Sequence, residues 1–181
     1  MLHTGARSNR KGLARAMRCV AIFIVLIGVF YGVVHSPGSE GRLFEPLLRA
    51  VARVSGSLLG ALGHEAVVDG RWVRTPEFTF QIVRGCDGLE PLAVYVSAVI
   101  ASPVAIGPKA LGAALGILAL TIINFLRIVS LYYVALYFPK SFELVHEDYW
   151  QPAFVLLAVC AWAAWGIWAT RRTQITRNAN H

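Results

Sequence analysis

Long apolar runs alternate along this chain with short polar intervals, and the lengths of those runs set the first expectations. The basic residues Arg7, Arg10, Lys11, Arg15 and Arg18 lead into an apolar run from Met17 to Val34. That is about the 18 to 20 residues needed to cross ~30 Å of hydrocarbon at ~1.5 Å per residue, and the run reads as a retained anchor. A Pro/Gly/Ser linker, His35 to Gly41, separates it from Leu43 to Leu62. This second segment carries Arg49 and Arg53 one turn apart, and each would cost ~3 kcal/mol near the centre of a span. It is therefore expected to lie in the interface with both arginines facing water. Making it a full span would give five crossings and reverse every later side assignment.

The pattern then changes period. Ala66 to Val68 and Trp72 to Arg74 flank Asp69-Gly70, which suits a two-residue type I′ turn and predicts a short β-hairpin. Strand-like alternation resumes from Phe78 to Val83 and continues up to Cys86. Leu89 to Ile106 reads as the second span, closed by Gly107-Pro108-Lys109, and Ala110 to Phe138 as the third, ended by Pro139. A polar loop from Lys140 to Gln151 precedes the fourth span, Pro152 to Thr170, and a basic tail begins at Arg171. The expectation is an all-α polytopic membrane protein: about four transmembrane helices, an interfacial helix and a short extracytoplasmic β-hairpin.

Charge orients it. The two termini and Lys109 fall on one side, with nine basic residues and no acidic one; the opposite side holds all ten Asp and Glu against seven basic residues. By the positive-inside rule the termini are cytoplasmic, in the cell (inner) membrane of a multi-pass protein. Composition agrees: 56% of the 181 residues are hydrophobic and 15% charged, so a bilayer is the natural solvent for a single domain, 1–181, with basic tails at 1–16 and 171–181. The net charge of +7 does not point to nucleic acid, because the basic residues follow topology rather than a binding motif. Cys19, Cys86 and Cys160 form no CxxC pair, so no disulfide framework, metal site or cofactor is expected.

Four polar positions stand out. Cys86 lies in Arg84-Gly85-Cys86-Asp87-Gly88-Leu89-Glu90, where Asp87 and Glu90 have the spacing of a capping box with Asp87 as N-cap. A thiol just outside a helix N-terminus is favoured as thiolate by the amide groups, while Asp87 opposes this. Arg127 sits within the third apolar run, and an intramembrane guanidinium is costly and usually functional. Asn124 shares its helix face, three residues earlier. His146 lies in the loop before the fourth span, on the side of Cys86 and the outer half of Arg127. His64, beside the hairpin, is a reserve base; His3 and His181 are terminal and His35 ends a span. Trp162, Trp165 and Trp168 read as anchoring and packing residues.

At these residues the sequence resembles the exosortase/archaeosortase family of membrane transpeptidases, and in size the exosortase H type. The match is carried in order by Cys86-Asp87-Gly88-Leu89, by Asn124-Phe125-Leu126-Arg127 and by His146, over Phe78 to Phe154. The chain has fewer spans than longer members. The resemblance implies substrates that end in a sorting tail: a short motif, a hydrophobic span and a basic cluster. Cys86 would attack the backbone carbonyl at the motif and form a thioester, which an acceptor nucleophile at the surface or in the lipid bilayer resolves. His146 would serve as base and then acid, and Arg127 would stabilise the oxyanion or the thiolate, with Asn124 and Gly88 orienting the site. Phe80, within the strand from Phe78 to Val83, would help hold an extended peptide beside Cys86. A transport or channel subunit is the alternative, since an intramembrane arginine also suits an ion path, although the chain shows no internal repeat.

Overall fold

The computed structural model describes the backbone of residues 3–179 and the side chains of residues 12–171. Side chains of the expected tails at Arg7, Arg10 and Lys11, and of everything after Arg171, lie outside the described residues, as do His3 and His181. Among the described residues five α-helices carry the fold: α1 (His3–Val34), α2 (Glu45–Ala61), α3 (Leu89–Ala101), α4 (Ile106–Tyr137) and α5 (Gln151–Ala179). Gly12–Val34, Ile106–Tyr137 and Leu144–Arg171 are long and apolar enough to cross a membrane. Residues 3–16 and 171–179 of the expected tails thus continue α1 and α5 along the backbone.

The second expected span differs from its prediction. The sequence assigned Leu89 to Ile106, whereas α3 stops at Ala101 after 13 residues, ~20 Å at ~1.5 Å per residue. Pro103 is the cause: it holds Ser102 in an extended conformation, with ψ at 139°, because a residue before proline is barred from the helical region. Pro108, read as the breaker, instead sits in the first turn of α4, where an amide N–H has no helical partner to lose. The two helices are tied at this turn by Lys109, whose Nζ donates to the Ile100 carbonyl at 2.7 Å.

α2 bears out the amphipathic reading. Phe44, Leu48, Val51, Ala52, Ser55, Gly56 and Leu59 recur at three- and four-residue spacing and are buried, whereas Arg49 and Arg53 are exposed. A π-type turn, Glu40–Phe44, feeds into it and takes in Glu40 and Gly41, the last two residues of the expected linker. Arg49 pairs with Glu45 at 2.7 Å, and Arg71 joins the same carboxylate at 3.2 Å.

The hairpin gains a third strand: β1 (Val67–Asp69), β2 (Trp72–Arg74) and β3 (Thr79–Gln81) form an antiparallel sheet in the order β1-β2-β3. Asp69 pairs with Trp72, so the connecting residues are Gly70 and Arg71. Gly70 has φ of 62° and, among the described residues, no non-glycine residue has positive φ, which is the pattern of a type II′ turn rather than the expected I′. The buried face of the sheet, with Val73 and Ile82, packs with α2 and with Ile128 and Tyr132 of α4.

A second apolar cluster joins α3, α4 and α5 farther along the bundle through Tyr95, Val99, Leu120, Phe154, Ala158, Trp165 and Ala169. Gly112 and Gly116 leave room there for the rings of Trp165 and Tyr95. Tyr95 donates to the Gly112 carbonyl at 2.8 Å and Trp165 to that of Pro108 at 3.0 Å. The expected polar loop before the fourth span is also helical in large part: a short 3-10 turn, Pro139–Ser141, and a π-type turn, Leu144–Trp150, run straight into α5.

Candidate active site

Between the two apolar clusters, the turn from Arg84 to Gly88 brings Cys86 against α4 and the π-type turn. Gly85 and Gly88 have φ of 92° and 71°, so the Cys86-Asp87 pair is framed by two backbone positions open to glycine. Gly88, not Asp87, is the N-cap of α3, which corrects the capping-box expectation. Asp87 still caps from one position back, accepting from Leu89 N–H at 3.2 Å. Gly88 has a second reason to lack a side chain, since a Cβ there would stand 2.9 Å from Asn124 Cγ.

Both sides of this turn are held. Arg84 reaches back to α1 and to the π-type turn Glu40–Phe44: it donates to the Val34 carbonyl at 3.4 Å, pairs with Glu40 at 3.5 Å and lies 4.4 Å over the Phe44 ring. On the other side, Asn124 Nδ2 donates to the Cys86 carbonyl at 2.9 Å and Arg127 Nη1 to that of Gly85 at 2.8 Å. Asn124 and Arg127 are one turn apart on α4, 3% and 2% exposed, and therefore act as a pair of fixed donors beneath the turn. Arg127 also reaches α5 through Gln151 Oε1 at 3.4 Å.

The third expected residue arrives from the π-type turn. His146 Nε2 stands 3.9 Å from Cys86 Sγ, and its ring stacks on Phe142 with centroids 5.6 Å apart and planes 6° from parallel. The separation is at the long end for a sulfur–nitrogen hydrogen bond, as in many resting sites that tighten once substrate is bound. Thiol, imidazole and guanidinium thus share one end of the bundle. His64 does not join them. Its nitrogens face the hydroxyls of Tyr132 and Tyr133, both at 3.2 Å, and Glu77 lies 3.8 Å away, so the reserve base belongs to the polar network under the sheet.

Electrostatics at the site are unbalanced. Among the described residues no carboxylate pairs with Arg127, whose donors meet a carbonyl and an amide, and its Nε has no partner. Burying a charge without a counter-ion is costly, so the site gains when negative charge develops close by. Burial pushes the Cys86 thiol above its ordinary value; a backbone hydrogen bond at Val83 and the charge of Arg127 pull it back, and Asp87 adds to the rise. That shift favours the neutral thiol, from which an attack needs a base for the proton. The arrangement suits nucleophilic chemistry in which Cys86 Sγ and His146 Nε2 exchange a proton beside a fixed positive charge.

Several contributors were not singled out in the sequence. Gly85 supplies the carbonyl that Arg127 holds, Gln151 links that arginine to α5, and Tyr132 and Phe142 wall the space beside the thiol. Gly85 was readable as the second glycine flanking the cysteine, and Gln151 as the last polar residue before the apolar run. Phe80, an expected substrate contact, lines the same space.

Comparison with known proteins adds one match: residues 10–166 fit the model of a family described as transmembrane exosortase (Exosortase_EpsH). No curated protein and no solved structure matches the chain.

Proposed function

Because the chain belongs to the transmembrane exosortase family, we propose that it is a membrane-embedded cysteine transpeptidase acting on the carboxy-terminal sorting tail of exported proteins. One observation carries the reading: Cys86 Sγ faces His146 Nε2 at 3.9 Å beside a buried arginine with no carboxylate partner. His146 takes the thiol proton as Sγ attacks the scissile carbonyl. The oxyanion that forms is stabilised by the fixed positive charge of Arg127, whose Nε has no partner among the described residues. His146 then gives the proton to the leaving amine, and the span and basic cluster of the substrate depart. An acceptor nucleophile at the surface or in the bilayer resolves the thioester, with His146 again removing its proton.

Asn124 and Gly88 orient the nucleophile by holding the turn that carries it, and Phe80 lines the approach to it. The proposed topology keeps the termini cytoplasmic and the active site on the extracytoplasmic side. The support is the placement of basic residues, together with the grouping of the sheet, Cys86 and His146 at the end of α1 that lies away from its basic start.

The test is processing in cells of an exported protein that ends in an apolar span and a basic cluster, read as a mass shift. Wild type is compared with Cys86→Ala, Cys86→Ser and His146→Ala at equal membrane abundance. Loss of the shift in all three supports the proposal, and normal processing by Cys86→Ala rejects it.

A further inference from the structure

β3 is an outer strand, and its free edge runs toward the thiol. Thr75 N–H donates to the Phe78 carbonyl at 3.1 Å and Ile82 N–H to the Arg71 carbonyl at 2.9 Å, and Val73 pairs with Phe80 between them. In an antiparallel ladder this parity turns the main-chain groups of Phe78, Phe80 and Ile82 toward β2 and those of Thr79, Gln81 and Val83 the other way. The outward Val83 carbonyl is taken by Cys86 N–H at 3.0 Å, which is where the chain folds back to present the thiol. Among the described residues no strand covers the edge at Thr79 and Gln81. An exposed edge of this kind is a template for one more extended chain.

Beside that edge lies a cleft of about 250 Å³ whose lining includes both Cys86 and His146. Phe80, Tyr132, Phe142 and Ala135 contribute walls, and no Asp, Glu, Lys or Arg lines it. Its volume is below the ~300 Å³ at which sites for whole small molecules begin, so it fits a single side chain. The Tyr132 wall is fixed: the ring stacks on Phe78 with centroids 5.1 Å apart, while the hydroxyl meets His64, Thr75 and Glu77 at 3.2, 3.4 and 3.2 Å.

We infer that β3 and this cleft form the specificity subsite of the enzyme. The substrate lies as a fourth strand on the edge of β3, its main chain bonded to Thr79 and Gln81, and places one bulky uncharged side chain next to the scissile bond into the aromatic cleft. The inference rests on Cys86 being the nucleophile. It adds the class of residue the enzyme selects and the conformation in which it is read. Glycine leaves the cleft unfilled, and a charged side chain is desolvated there without a partner.

The experiment measures alkylation of Cys86, resolved by mass spectrometry, in the purified full-length chain in detergent micelles. The probes are acetyl-Ala-Ala-X chloromethyl ketones with X as Gly, Leu, Phe, Glu or Lys; the thiolate sulfur bonds to the methylene carbon and chloride leaves. Iodoacetamide reports bare thiol reactivity and is the reference for every variant. The expected result is a rate for Phe or Leu about tenfold or more above those for Gly, Glu and Lys. A similar loss is expected when the amide nitrogens of the best probe are methylated. In Ala135→Phe, which fills the cleft, the order among probes collapses relative to iodoacetamide. Equal rates for all X, or an order that survives Ala135→Phe, would overturn the subsite while leaving the nucleophile in place. An apolar preference indifferent to N-methylation marks a slot for any greasy chain, lipid included, and overturns the strand-addition proposal. If Cys86 resists iodoacetamide and every probe, the nucleophile reading fails, and this inference with it.

Discussion

Replacing Gly88 by alanine strikes the site at its tightest point. A non-glycine residue at φ of 71° costs about 1–2 kcal/mol. The new Cβ would also stand 2.9 Å from Asn124 Cγ and 3.1 Å from its Oδ1, so the amide must move. Moving it breaks the 2.9 Å bond from Asn124 Nδ2 to the Cys86 carbonyl, which contributes about 1 kcal/mol net. The combined cost is about 2–3 kcal/mol. A displacement of the thiol by about 1 Å accounts for a further ~10²-fold loss of reaction. A double-mutant cycle separates these parts. In an Asn124→Ala background the colliding amide is gone, leaving only Asn124 Cβ at 3.2 Å, so Gly88→Ala costs only the backbone contribution. Unfolding of purified protein in detergent, measured for all four members of the cycle, is therefore expected to show a coupling of about 1 kcal/mol. Strict additivity would refute the idea that Gly88 is required by Asn124.

Arg127→Gln keeps a donor but removes the charge, and processing of a tailed substrate falls by about 10²–10³-fold, with a neutral hydrogen-bonding replacement failing to rescue it; near-normal turnover would remove the arginine from the mechanism. Because burial raises the Cys86 thiol, its iodoacetamide reaction is slow at neutral pH and climbs through alkaline pH, above the midpoint of ~8.5 for a free cysteine. Arg127→Gln moves that rise to still higher pH, whereas a rate already level below pH 7 would mean a preformed thiolate. His146→Ala lowers processing by about 10²–10⁴-fold. Gly112→Ala, in the lower cluster, pushes a methyl into the Trp165 ring and costs about 1–3 kcal/mol of stability, while the alkylation rate of Cys86 stays as in wild type.

The apolar runs made most of the helices legible because a bilayer demands length and hydrophobicity of its spans and little else. The exact end of α3 was not, since two prolines five residues apart compete for the break. Pro103 stops a helix that would otherwise have to place Ser102 in the helical region, but Pro108 falls where a new helix has no use for an N–H. Arg49 and Arg53 were decisive for reading α2 as amphipathic, and both lie on its exposed face, opposite the buried residues.

At the site, the residue types named the reactive groups, and the packing supplied their relations. That Arg127 and Asn124 meet the carbonyls of Gly85 and Cys86 is a contact between distant segments, invisible to local periodicity. The cap falls at Gly88, whose left-handed backbone suits glycine and where a Cβ would meet Asn124, a tertiary contact that the local Asp87–Glu90 spacing does not show. His64 was a reasonable second base by position alone; the tyrosines at 132 and 133 that occupy its nitrogens come from α4, sixty-odd residues on. The stretch from Lys140 to Gln151 looked like a loop because its charges mask a helical path continuous with α5.

Covalent catalysis by Cys86 leaves an acyl-enzyme that mass spectrometry detects during turnover. An exported protein ending in an apolar span and a basic cluster is incubated with the full-length enzyme in membranes, quenched in acid and digested. The expected result is a Cys86 peptide carrying the mass of the substrate's new carboxy terminus, released by hydroxylamine and lost in Cys86→Ala. Efficient cleavage of that protein by the Cys86→Ala enzyme, with no acylated intermediate in wild type, would contradict it.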